Sequence, residues 1–276
     1  MLAIAHSAVL VGIAAHPVRV EVQTTRGIPS FELVGLAEAA VKESRVRVKA
    51  ALAGVGVDIS EYRITVNLAP ADLRKRGSAF DLAIAVATLA ALNRIPHERL
   101  GEILFLGELS LNGEIHPLRG LVAHLFAARD RGVTRAVVPR ASEHEATLVE
   151  GIDVAVASTL QDVLVALRDD VALPRASRHP ADSTLISMGA DLDDVRGQQV
   201  GRRALEVAAA GAHNLLFIGP PGAGKTMLAR RLPGILPVLE PEEALEVLAI
   251  HSVAGMGKTA ASEGRRPFRA PTLRGW

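Results

Sequence analysis

The stretch His213 to Leu232, HNLLFIGPPGAGKTMLARRL, constrains this chain more than any other, because there the order of residues dictates one chemistry. A short apolar run, Leu215 to Ile218, enters a glycine-rich turn with the spacing G-x-x-x-x-G-K-[ST]. Gly219, Pro220, Pro221, Gly222, Ala223, Gly224, Lys225 and Thr226 fill it. That is the pattern of a P-loop. A triphosphate presents several negative oxygens that need close donors. Gly222 and Gly224 lack a Cβ and tolerate positive φ, so the backbone there can wrap those oxygens. A helix starting at Lys225 would add free N–H groups and the positive end of its dipole. Lys225 is expected to reach the β- and γ-phosphates, and the Thr226 hydroxyl to ligate Mg²⁺. The expected ligands are ATP and Mg²⁺, with a strand before the loop and a helix after it.

A chain of 276 residues has room for about two domains, each with a core of its own. An apolar content of 49% against 22% charged residues excludes wholesale disorder. Without cysteine there are no disulfides and no thiolate metal sites, and the nine histidines lack a spacing that joins two of them to an acid. A net charge of +1 gives no global argument for nucleic acid. Residues 1 to 15 are uncharged but have neither a positive n-region nor an apolar run of spanning length. Behind them Val18, Val20 and Val22 alternate with Arg19 and Glu21, the period of a half-buried strand. Residues 1 to 25 therefore read as a strand pair, and the protein as cytoplasmic with no membrane partner.

A helix is expected over residues 37 to 53, closed by a left-handed Gly54, with Lys42, Glu43, Arg45, Arg47 and Lys49 on a solvated face. A strand, Arg63 to Leu68, leads to Pro70 and the basic cluster Arg74, Lys75 and Arg76. From 41 to 76 eight basic residues stand against four acidic ones, and the C-terminal tail sets Lys258, Arg265, Arg266, Arg269 and Arg274 against Glu263. Either group could line a nucleic-acid groove or be ordinary surface. Ser78 precedes a run, Phe80 to Leu92, that is apolar all round and so must be buried. With Asp81 three residues on, Ser78 fits a helix N-cap better than a nucleophile, since no base is identified for it. Asn112-Gly113 between alternating runs marks a hairpin. Helices near 121 to 131 and 142 to 149, strands at 135 to 138 and 153 to 157, and a helix opened by Thr159 with Asp162 as capping partner complete a first domain ending near Arg168. Residues 169 to 188 lose periodicity and read as a linker. Past it, the segment Asp191 to Gln198 opens a helix to about Ala210 that feeds the P-loop strand, the start of an α/β nucleotide-binding domain.

DVRGQ at 194 to 198, RRALEVAAAGAHNLLFIGPPGAGKTMLARRLPGILP, EEALEVLAIHSVAG and RPFRAP together resemble the magnesium-chelatase-like AAA+ ATPases of the YifB/ComM family. VKES at 41 to 44, GSAFD at 77 to 81 and GELSLNGEIHPLRGL at 107 to 121 resemble that family's N-terminal domain, which is similar to the proteolytic domain of Lon. The resemblance implies an α/β and α+β chain. Residues 1 to 168 would have the Lon-like, ribosomal S5-like fold, and 189 to 276 would be the first part of an AAA+ P-loop domain. It also implies ATP-driven remodelling of DNA, by members that work as homo-hexameric branch-migration motors.

Two departures bear on activity. Lon-type peptidases use a Ser–Lys dyad; GSAFD places Ser78 at the serine, but RGLVAH places Val122 at the lysine, so Ser78 is expected to be a remnant without a base. After RPFRAP the family continues with histidines and a whole ATPase module, where this sequence reads TLRGW. No apolar run ending in Asp-Glu follows the P-loop, so the Walker B acid and arginine finger are missing from these residues and the module is expected to be partial. Ile103 to Glu108 resembles such a run, but it has Gly107 at the aspartate position and precedes the loop by over a hundred residues. Three function classes remain: a ComM-type ATPase acting on DNA, a magnesium-chelatase ATPase subunit, and a Lon-like serine peptidase, the last disfavoured by Val122.

Overall fold

The computed structural model describes residues 1–35, 38–75, 77–177, 191–256 and 264–269. The chain divides into two compact units, Met1–His179 with Ala249–Met256, and Pro180–Leu248 with Gly257–Trp276.

The first unit is built on a seven-stranded mixed sheet of order β3-β4-β2-β1-β5-β8-β9. Strands β1 (Leu2–Val11) and β2 (Ala14–Arg26) form the expected antiparallel pair, closed by a two-residue turn in which Gly12 takes φ 64°. Strand β3 (Ser30–Val34) lies parallel to β4 (Tyr62–Ala69), which runs antiparallel to β2. On the other side β5 (Ile103–Phe105), β8 (Arg135–Pro139) and β9 (Asp153–Ala157) add in parallel. The hairpin at Asn112-Gly113 joins β6 (Glu108–Leu109) to β7 (Ile115–His116), with Gly113 at φ 86°. Four helices complete the unit: α1 (Ala39–Gly54), α2 (Asp81–Ala91), α3 (Leu121–Asp130) and α5 (Leu160–Asp169), with the single turn α4 (Glu143–Ala146) between the last two.

Helix α2 is the centre of the core. Every residue from Asp81 to Ala91 is buried, as an all-round apolar sequence requires, and alanines at 83, 85 and 87 let it lie close on β1 and β2. Burial of Leu82, Ile84, Val86 and Leu89 stabilises by about 1.5–3 kcal/mol each. Helix α5 carries the expected capping box between Thr159 and Asp162.

Three expectations about the turns, caps and edges of the first unit change. The left-handed residue that ends α1 is Gly56 (φ 76°), not Gly54: the Gly56 N–H bonds to the Ala53 carbonyl and the Val57 N–H to that of Leu52, the paired bonds of a Schellman motif. Ser78 does not cap α2, whose N-cap is Phe80 without a side-chain bond. Of the early donors of α2, Asp81 N–H bonds to the Ser78 carbonyl at 3.2 Å and Leu82 N–H to the Gly107 carbonyl of the β5–β6 connection at 3.1 Å, while Gly107 N–H bonds in return to the Ala79 carbonyl at 3.3 Å. A Cβ on Gly107 would fall 2.5 Å from Ile115, which is why glycine stands there. Finally, residues 174 to 176, placed in the linker by their composition, bond along β9: Val156 N–H to the Pro174 carbonyl and Ala176 N–H to that of Val154, both at 2.8 Å. Residues 178–190 of the linker lie outside the described residues.

The second unit contains α6 (Gln199–Gly211), α7 (Lys225–Ala229), α8 (Leu232–Ile235) and most of α9 (Pro241–Val253). Its small core is Leu192, Val195, Leu205 and Leu228, with Phe217, Leu232 and Ile235 against it. The strand expected at Leu215 to Ile218 is not formed. Leu216 and Ile218 are 79% and 88% exposed, and no other described residue of this unit is in a strand. An apolar run becomes a strand only where a neighbouring strand meets its N–H and C=O groups. Among the described residues no helix is long and apolar enough to cross a membrane.

Candidate functional site

The P-loop residues lie between α6 and α7. Gly222 and Gly224 take φ 81° and 80°, the conformation for which the sequence needs glycine. Ala223 N–H closes a turn on the Pro220 carbonyl at 3.3 Å. The Lys225 ammonium donates to the carbonyls of Gly219 and Pro220, both at 2.8 Å, which folds the start of the loop over its end. An ammonium has three N–H donors, so one remains for an incoming oxygen. Thr226 follows with its side chain exposed. Helix α7 has five residues, so the macrodipole expected at its start is small. These features fit a polyphosphate. For Mg²⁺ the loop offers one side-chain oxygen, Thr226, with the other ligands left to phosphate and water.

Helices α6 and α7 meet closely. A Cβ on Gly201 would lie 2.7 Å from Leu228 Cδ1, so a larger residue there would require the Leu228 side chain to move. Gln198, the left-handed N-cap of α6 (φ 53°, ψ 36°), donates its side-chain amide to the Ala223 carbonyl at 3.3 Å. The sequence signal for Gln198 was its place at the end of DVRGQ, read only as part of a motif.

In the first unit the three Lon-like motifs converge. Arg47, expected on a solvated face, is largely buried and grips the fully buried Asp81, Nε to Oδ2 at 2.6 Å and Nη2 to Oδ1 at 3.2 Å. Leu109 N–H also reaches Asp81, at 3.2 Å, and Arg47 donates to Ser44 Oγ at 3.2 Å. Burial pushes the Asp81 carboxyl above its ordinary range, against the opposing pull of Arg47, while the Arg47 guanidinium is pushed up chiefly by its bond to Asp81. Ser78 Oγ donates to the Glu108 carboxylate, a partner that sequence reasoning missed. Val122 is buried in the first turn of α3. A valine cannot take a proton from Ser78, and the hydroxyl is held by an acid.

Of the basic cluster at 74 to 76, Arg74 is exposed but Lys75 is fully buried, its ammonium on the Pro70 carbonyl and pulled below the ordinary lysine range by burial. Lys75 therefore cannot line a groove; Arg76 lies outside the described residues. In the tail, Arg266 is engaged by Glu243 at 3.0 Å and by the Pro237 carbonyl at 3.0 Å, while Lys258, Glu263 and Arg274 lie outside the described residues.

Residues 20–142 match the family model described as subunit ChlI of Mg-chelatase, and residues 191–274 the model described as magnesium chelatase, subunit ChlI. The chain is 42% identical over 270 residues to an uncharacterized protein YifB of Escherichia coli, and 41% identical over 273 residues to the competence protein ComM of Haemophilus influenzae. Both alignments cover 98% of this chain and 53% of the relative. It is 30% identical over 119 residues to an archaeal Lon protease of Thermococcus kodakarensis, covering 41% of this chain and 18% of the protease. The chain thus spans about half the length of the YifB and ComM relatives it matches.

Proposed function

The chain belongs to the YifB/ComM family of magnesium-chelatase-like proteins, with a Lon-like domain and a P-loop module, and from that premise we propose that it is an ATP-binding component of a DNA-remodelling motor. The observation that carries the nucleotide part is the loop itself: two glycines at positive φ, and a lysine whose ammonium spans the loop's first carbonyls with one donor to spare. In this reading Gly219 to Gly224 enclose the phosphates, Lys225 offsets their charge, and Thr226 supplies an oxygen to Mg²⁺, which when bound would neutralise the β- and γ-oxygens. The similarity to a competence protein supports the DNA part, together with the exposed Arg45, Lys49 and Arg74. Assembly as a homo-hexamer and a cytoplasmic setting belong to the same proposal.

The descriptions of both family models favour a second reading, an ATPase subunit that drives Mg²⁺ into a porphyrin. One experiment separates the two. A fluorescent ATP analogue should bind the chain and lose at least tenfold in affinity in Lys225→Ala; equal binding by both proteins defeats the nucleotide reading. The same preparations should retain duplex DNA independently of sequence, with affinity that falls steeply from low to moderate salt. A chelatase subunit has no use for DNA, and an absence of salt-sensitive retention moves the conclusion to the porphyrin reading.

A further inference from the structure

We infer that Gln198 is a positioning residue of the nucleotide loop: by holding the Ala223 carbonyl it aims the Gly224 N–H at the phosphates. The peptide bond is planar and trans, so the carbonyl of Ala223 and the N–H of Gly224 point in opposite directions from the plane they share. The carbonyl is fixed toward α6 by the Gln198 amide at 3.3 Å. The Gly224 N–H is thereby turned away from α6, and among the described residues it has no acceptor within the chain. A backbone donor without an intramolecular partner, on a glycine at positive φ inside a polyphosphate-binding pattern, is a donor kept for a ligand oxygen.

The surroundings of Gln198 are built to hold that contact. Its backbone is left-handed, a conformation that a residue with a side chain keeps only when its environment imposes it. Its own carbonyl accepts from Arg202 N–H at 2.9 Å, the first bond of α6. The Arg202 guanidinium in turn bonds to the Val195 carbonyl at 3.4 Å and to Asp193 at 3.3 Å, bracing the segment that leads into Gln198. Gly201 faces Leu228 where α6 meets α7, with room for no more than the glycine unless Leu228 moves. Gln198 Nε2 lies 3.8 Å from where a Cβ on Gly224 would be, so the amide also closes the space on that side of the loop. Glutamine suits the task because its terminal amide is a neutral donor. Glutamate at 198 would present only acceptors to the carbonyl and would add a negative charge beside the phosphates.

The inference rests on the nucleotide reading, and its test keeps the two apart. The full 276-residue chain, Gln198→Glu and Gln198→Gly are titrated with a fluorescent ATP analogue and, in competition, with inorganic tripolyphosphate, while the Gly224 amide is followed by ¹⁵N-resolved NMR. Gln198→Gly is compatible with the left-handed backbone, so its thermal midpoint should not fall below that of the parent. Gln198→Gly should bind ATP and tripolyphosphate about tenfold or more weakly, by the same factor for each ligand, which is the loss of one hydrogen bond to a charged group, and Gln198→Glu should bind both more weakly still because of its added negative charge. The large shift of the Gly224 amide on adding tripolyphosphate should be confined to the parent. Variants that bind both ligands like the parent, with the Gly224 shift intact, overturn the role of Gln198 and leave the nucleotide reading standing. A parent that binds neither ligand overturns both.

Discussion

An imidazole sealed from water must stay neutral, and His124 on α3 meets that condition. It is 2% exposed, and Nδ1 lies 2.8 Å from the Gly120 carbonyl; since a carbonyl only accepts, Nδ1 carries the proton of the neutral ring. Burial pulls its pKa from 6.5 down to about 4, and the opposing carbonyls of Gly120 and Ala8 do not offset that. In the unfolded chain the ring takes up its second proton near pH 6.5. Between there and about 4 the unfolded state binds more protons than the folded one, so the contribution to stability is full above pH 6.5 and is lost as the pH falls. The whole effect is about 3 kcal/mol. His124→Gln, which keeps a donor for Gly120 but cannot titrate, should remove this part of the acid sensitivity. Urea midpoints of the two proteins at pH 7.5, 6 and 5 provide the check: a difference between them that is constant across the three pH values would show that His124 is not the group responsible.

At the scale of elements, α1 and α2 are pinned by a bond between residues 34 apart, Arg47 and Asp81. Asp81 is fully buried, so removing Arg47 strands a carboxylate in the core. Arg47→Met should lower stability by about 3 kcal/mol, and Arg47→Met/Asp81→Asn should recover most of it, because the amide oxygen can still accept from Leu109 N–H. Chemical denaturation of the three proteins measures this, and a loss below about 1 kcal/mol in the single variant contradicts it. The pair also marks where sequence reading stopped. The β1–β2 hairpin follows from alternation, and the burial of α2 from its unbroken apolar run, since both patterns are complete within the segment. The S-x-x-D spacing at Ser78 and Asp81 is the same whether the acid faces its own backbone or a guanidinium on another helix. Only tertiary packing decides the partners: α1 against α2 gives Asp81 its Arg47, and β6 gives Ser78 its Glu108. The sharper clue was an ionisable residue inside an otherwise apolar buried helix, which calls for a cation from elsewhere in the chain.

For the whole molecule, the loop that could hold a nucleotide was readable because eight consecutive residues fix it. What surrounds the loop was not, because Leu215 to Ile218 could form a strand only against neighbours that the described residues of the second unit do not supply. The same neighbours matter for turnover. Hydrolysis needs the γ-phosphate held by Lys225 and a metal oxygen ligand at Thr226. It also needs an acid that completes the metal shell, a residue that orients water, and a positive charge on the transition state. No apolar run ending in Asp-Glu follows the loop within these residues, and no strand is formed among the described residues of this unit to present such an acid. An arginine finger from another subunit is worth on the order of a thousandfold or more, but it replaces neither the acid nor the water-orienting residue. The 276-residue chain should therefore bind ATP without releasing phosphate above background, and adding DNA should not change that. A phosphate-release assay decides the matter: turnover that DNA stimulates and Lys225→Ala abolishes would mean that an acid already within these residues serves the metal.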